Sequence, residues 1–103
     1  MTLSWSEAAD EQFYSTLKYW DNRNLSTLYS QKLVERTNST LVLLMFEPCI
    51  GRPTIYGDIR TILVDGKYNI YYEYDEELDE IHILSFWDGR QNPEKLTELF
   101  ENN

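Results

Sequence analysis

The 103-residue chain is short of several things at once: one cysteine, one histidine, three prolines, four glycines, and nine Lys or Arg against eighteen Asp or Glu. Each scarcity removes a class of protein. A lone Cys49 cannot form an internal disulfide and is read, between Pro48 and Ile50, as a buried structural thiol and not a nucleophile. A formal net charge of −9 is a poor basis for sequence-independent DNA or RNA binding, because affinity for a phosphate backbone comes from clustered cations. No apolar run approaches the roughly 18 residues needed to span a bilayer, and no charged-then-apolar leader opens the sequence, so a cytoplasmic, non-membrane protein is expected.

What the chain does have is aromatic residues (eight Tyr, three Trp, four Phe) within a 42% hydrophobic composition. That is enough to build one core without staples, and a single domain over residues 1–103 is expected. Leu3 and Trp5 alternate in a short strand at Thr2 to Trp5, and Ser6 is placed to cap a helix. Ala9, Phe13, Leu17 and Trp20 recur at helical spacing from about Glu7 to Trp20. Asp21 to Asn24 reads as a polar break. A second helix is expected from a Ser26 cap to about Met45, with the stripe Tyr29, Leu33, Thr37, Leu41 and Leu44, and with Val34 and Met45 beside it. Pro48 ends it, and Gly51-Arg52-Pro53 reads as a turn.

The period then changes to two. Strands are expected over Asp58 to Val64, Lys67 to Tyr74 and Ile81 to Phe86, the first two joined by an Asp65-Gly66 hairpin turn. Tyr68, Tyr71, Tyr72 and Tyr74 are expected to pack on the helical hairpin. They are poor candidates for base stacking, since Glu73, Asp75, Glu76 and Glu77 beside them would repel phosphate. The six carboxylates between Glu73 and Glu80 lack the glycine and ligand spacing of a calcium loop and read as a solvated turn. A short helix over 93–101, capped by Asn92 with Pro93 first, carries Leu96, Leu99 and Phe100 on one edge. That edge can pack on the domain or meet another chain. The class is α+β, in the order β-α-α-β-β-β-α, with a helical hairpin on a small, mostly antiparallel twisted sheet.

The closing phrase Phe86-Trp87-Asp88-Gly89-Arg90-Gln91-Asn92-Pro93-Glu94-Lys95-Leu96 resembles the end of RelE/ParE superfamily toxins of type II toxin–antitoxin (plasmid stabilisation) systems, and the element order matches that family over almost the whole length. The resemblance implies two unlike activities. A ParE-like member binds a protein target, DNA gyrase, and is neutralised by a cognate antitoxin, with Arg60, Trp87, Arg90, Leu96, Leu99 and Phe100 as the binding candidates. A RelE-like member is a ribosome-dependent mRNA endonuclease. For that chemistry the candidates are Arg60 and Arg90 on phosphate, with His82 or a tyrosine as base. A third reading is a degenerate member that binds antitoxin without toxicity. Each candidate also has a structural reading: His82 as a half-exposed strand residue among carboxylates, Arg60 paired with Asp58, and Arg90 paired with Asp88. The sparse cations favour the ParE-like reading, with no metal and no cofactor. Toxins of the family are commonly neutral to basic, so the acidity of this chain leaves hydrophobic contact to hold its antitoxin.

Overall fold

A computed structural model describes residues 1–91 and 93–101. The elements are β1 (Thr2–Trp5), α1 (Glu7–Asn24), α2 (Leu28–Phe46), β2 (Arg52–Pro53), β3 (Arg60–Val64), β4 (Tyr68–Asp75), β5 (Glu80–Asp88) and α3 (Pro93–Glu101). The strands form one sheet in the order β1-β5-β4-β3-β2. Only β1 runs parallel to its neighbour, β5; the remaining pairs are antiparallel. The chain therefore crosses from β1 to the far side of the sheet through the helical hairpin and returns strand by strand.

Alternation along the strands decides which face each side chain serves. Ile70, Tyr72, Ile81, Ile83 and Phe86 are fully or almost fully buried and join Ala9, Leu33 and Leu44 from the helices in one core. Phe13 meets Phe86 edge-on at 4.9 Å, and Phe86 stacks on Tyr68 at 5.0 Å. Tyr71 points to the opposite face, where Phe100 of α3 approaches it at 5.3 Å and Tyr56 at 4.9 Å. The tyrosines are thus divided: Tyr68, Tyr72 and Tyr74 pack with the hairpin core, while Tyr71 lies under α3, contrary to the expectation that all four face the hairpin. Leu96 is buried at 5% exposure, so the apolar edge of α3 is turned at least in part onto its own sheet.

Several expected boundaries move. The helix α1 does not stop at Trp20 but runs on to Asn24, because Asp21 to Asn24 contains no glycine or proline to break it. Asp21 instead accepts a hydrogen bond from Ser30 Oγ at 2.5 Å, tying the two helices, and Leu25 closes the helix at φ 51°. The cap of α2 is Thr27, whose hydroxyl accepts from Gln31 Nε2 at 2.9 Å and caps no backbone amide; Ser26 accepts from the Leu28 amide. Met45 is exposed and does not join the stripe. Arg52 and Pro53, expected as a turn, pair with Thr61 and Arg60 as a two-residue edge strand, where proline costs no ladder bond. The first hairpin strand is shorter than expected, since Asp58 and Ile59 lie outside β3, and β5 extends to Asp88. The Asp65-Gly66 turn is as expected, with both residues at positive φ. The Asn92 cap lies outside the described residues.

Cys49 is exposed, not buried. The segment after α2 is held by its backbone: Tyr72 Oη accepts from the Gly51 amide at 2.9 Å and donates to the Pro48 carbonyl at 2.7 Å. A Cβ on Gly51 would stand 2.5 Å from that Oη and 2.7 Å from Tyr72 Cε1. Gly51→Ala is therefore expected to lower stability by about 1–3 kcal/mol in urea unfolding, because a buried tyrosine with two backbone partners must move. Thr37 predicts the opposite sign. It is buried at 1% exposure, and its hydroxyl has no hydrogen-bond partner among the described residues. Thr37→Val removes an unsatisfied buried group and is expected to raise stability by about 1 kcal/mol in the same assay.

Candidate functional site

The ladder between β1 and β5 ends at Trp5 and Ile83, so the rim of β5 from Leu84 to Asp88 has no neighbouring strand. The start of α1 covers part of it. Ser6 Oγ donates to the Leu84 carbonyl at 3.1 Å while capping the Ala9 amide at 3.0 Å. Gln12 Oε1 accepts from both the Phe86 amide and Ser85 Oγ, each at 3.0 Å. A register shift beside Tyr71 and Tyr72 leaves Leu84 as the extra residue and bends β5 at this point. A groove of about 820 Å³ runs along α1 from Ala8 to Tyr19 beside the end of β5. Glu11, Tyr19, Tyr68, Trp87, Asp88 and Arg90 are among its lining residues.

At its mouth Arg90 closes back on Asp88: Nε to Oδ1 at 3.0 Å, Nη2 to Oδ2 at 2.8 Å, and the Arg90 amide to Oδ1 at 2.9 Å. The Arg90 hydrogen bonds hold the Asp88 carboxyl below the usual carboxylate range, against the opposing effect of its partial burial. The floor of the site is fixed by Trp20, whose indole donates to Tyr68 Oη at 2.6 Å, and by the Lys67 ammonium, 5.1 Å from the ring centres of both Trp20 and Tyr29. Tyr29 in turn donates to Asp65, which also pairs with Arg36.

The sequence candidates do not assemble into one site. Arg60 pairs in register with Tyr72 on the hairpin face and donates to the Gly51 carbonyl at 2.8 Å, not to Asp58. His82 pairs with Glu73 on the other face; its Nδ1 lies 2.9 Å from Ser4 Oγ and its Nε2 lies 3.2 Å from Glu80. The strand between His82 and Asp88 spans about 20 Å at ~3.3 Å per residue, which separates the histidine from Arg90. The tyrosines are no better placed as bases. Burial pushes Tyr29, Tyr71 and Tyr72 above the ordinary phenol value, and the hydrogen bond to Asp79 does the same for Tyr74.

Trp87 lies on the rim but is 8% exposed, and Leu96 is buried, so neither is free to reach far. Phe100 packs on Tyr56 and Tyr71, Tyr56 Oη lies 2.9 Å from Thr97 Oγ1, and Leu99 is half-buried. Of the candidates, Trp87 and Arg90 share the groove. Gln12 and Tyr19, which help to shape it, carried no signal in the sequence, and Tyr68 was read only as packing on the hairpin, since nothing local says that α1 lies along β5. Among the described residues no three His, Cys, Asp or Glu side chains are grouped to hold a metal ion, and no helix is long and apolar enough to cross a membrane. The acidic turn is used structurally: Asp75 accepts from the Leu78 amide, and Asp79 accepts from Tyr74 and pairs with the N-terminal ammonium at 3.1 Å.

A hairpin on one face and a short helix on the other of a five-stranded mixed sheet make an α+β fold, and the arrangement fits a ParE-like fold. No family model and no curated protein matches the sequence. Among solved structures, the chain is similar to one from the chromosomal ParDE TA system from P. aeruginosa, with a TM-score of 0.71. The alignment covers 85% of this chain and 95% of that one at 18% identity, a likeness of fold.

The Asp88–Arg90 pair has a defined pH signature. A carboxyl whose folded pKa lies below its unfolded value stabilises the protein above the unfolded pKa and loses that contribution as pH falls through the folded one. Arg90→Ala is therefore expected to lower the melting temperature slightly at neutral pH. The difference from wild type should vanish in acid well below the usual carboxylate range. Paired thermal melts across that range check it.

Proposed function

We propose that residues 1–103 act as one toxin domain of a type II toxin–antitoxin system, ParE-like in that it works by binding a protein, DNA gyrase, in the cytoplasm. A cognate antitoxin neutralises it. The observation that carries the reading is the shared fold with a chain of a ParDE TA system over 85% of this chain. The Trp87-Asp88-Gly89-Arg90 phrase at the mouth of the groove supports it. Docking on a protein needs a shaped surface and no acid–base pair, and the separation of Arg60, His82 and Arg90 favours docking over RNA cleavage.

Induced expression is expected to slow growth, and the purified protein to inhibit gyrase supercoiling, with both effects relieved by the product of an adjacent small DNA-binding gene. Cleavage of mRNA at the ribosomal A site would replace this reading with the RelE-like ribonuclease. Normal growth with retained binding of the neighbour would indicate a degenerate member. Arg90→Ala is expected to weaken toxicity or partner binding in a domain that still folds. A change confined to the melting temperature would make Arg90 a structural partner of Asp88 alone.

A further inference from the structure

A hydrogen-bonded row of side chains on the sheet face away from the hairpin takes no part in the groove. Ser4 alternates with Leu3 and Trp5, and His82 alternates with Ile81 and Ile83, so both turn away from the hairpin core. The parallel ladder sets Ser4 beside His82 and Thr2 beside Glu80. His82 Nδ1 lies 2.9 Å from Ser4 Oγ, and its Nε2 lies 3.2 Å from Glu80 Oε2. Ser4 is exposed, and the His82 side chain is 40% exposed, so a small molecule can reach both.

The carboxylate decides what the imidazole does. An ionised carboxylate only accepts hydrogen bonds, so the proton of the neutral ring sits on Nε2, toward Glu80. Nδ1 is then the acceptor, and the Ser4 hydroxyl donates to it. A hydroxyl donating to an imidazole whose other nitrogen is held by a carboxylate is the arrangement that activates serine for acyl transfer. The backbone adds a donor. The Thr2 amide bonds the Asp79 carbonyl and the Ser6 amide bonds the Ile83 carbonyl, so Thr2, Ser4 and Ser6 face β5. The Trp5 amide, next after Ser4, therefore points off the sheet edge, with no acceptor among the described residues. An amide so placed can bond the oxyanion that forms when the serine oxygen adds to a carbonyl. Charge then narrows the substrate. Glu73 pairs with His82 and Asp75 with Glu80 across the β4–β5 ladder, so an anionic ester is repelled here.

We infer that Ser4 is an acyl-accepting nucleophile for small, uncharged, activated esters, with His82 as its general base and Glu80 positioning that base. Ser4 Oγ bonds to the acyl carbon while its proton passes to His82 Nδ1. The carbonyl re-forms as the bond from the acyl carbon to the alcohol oxygen breaks, and that oxygen takes the proton from His82. Water, giving its proton to the same Nδ1, then adds to the acyl carbon. The bond to Ser4 Oγ breaks, the carboxylic acid leaves, and the proton returns to Ser4. This site stands on the β1–β5 pairing and does not rest on the toxin reading.

The test uses the full chain and p-nitrophenyl acetate. Release of p-nitrophenolate gives the rate, and peptide mass spectrometry of acid-quenched samples locates the acetyl group. The wild type is expected to carry acetyl on Ser4. Ser4→Ala and His82→Ala should each lower the protein-dependent rate at least about tenfold, in variants that keep the wild-type circular dichroism. Added imidazole should restore acetylation of Ser4 in His82→Ala, a rescue that a merely structural histidine would not show. Glu80→Gln puts an amide donor beside Nε2 and disturbs the tautomer, so it should lower kcat with KM unchanged.

No acetyl on Ser4 would overturn the inference, as would a rate equal to wild type in Ser4→Ala. A rate lost in His82→Ala but kept in Ser4→Ala would also overturn it, because the imidazole would then be attacking the ester directly.

Discussion

The parallel pairing of β1 with β5 is the contact on which the arrangement depends. Four residues of β1 cover less than half of a nine-residue strand, and the chain must leave the sheet at Trp5 to enter the hairpin. What remains of the β5 rim would expose ladder groups, a hazard for any sheet edge. Ser6 and Gln12 answer it by bonding the Leu84 carbonyl and the Phe86 amide. The helix that supplies those side chains is thereby aligned along the strand, and the groove lies between the two. A longer β1 would have removed both the capping and the groove.

The second organising constraint is that β5 is buried on the hairpin face along its length and on the other face only toward its end. Ile81, Ile83 and Phe86 serve the first face, while Trp87 is nearly as buried on the second. Tyrosine suits such a sheet because its ring fills the core and its hydroxyl reaches a polar partner. Tyr72 reaches the backbone after α2, Tyr68 accepts from Trp20, and Tyr74 bonds Asp79. The high tyrosine content is therefore used structurally, and burial holds the Tyr72 phenol above its ordinary value while the hydrogen bond to Asp79 does the same for Tyr74.

Charge is distributed with a consequence for recognition. Four of the nine cations are held locally: Arg36 by Asp65, Arg60 by the Gly51 carbonyl, Arg90 by Asp88, and Lys67 over two rings. The carboxylates greatly outnumber them and concentrate in the β4–β5 turn. A phosphate backbone finds little to bind on such a surface. The rim groove, by contrast, offers a protein partner a shaped surface lined by Glu11, Trp87, Asp88 and Arg90.

The order of elements, the hairpin, the period-two strands, the Asp65-Gly66 turn and most of the core stripe were determined by the sequence, because these follow from spacing and turn chemistry within a few residues. The resemblance of the closing phrase likewise pointed to a fold that the structure has. Tertiary structure decided what depends on distant neighbours. Asp21 continues a helix since Ser30 waits across the loop, Cys49 faces outward since Tyr72 holds the backbone beside it, and Tyr71 turns from the hairpin to α3. It also separated Arg60, His82 and Arg90, which one-dimensional spacing could not do, and it made a groove from Gln12, Tyr19 and Tyr68. The reason is physical: a site is a meeting of segments, and the distances between segments are set by packing rather than by local propensity.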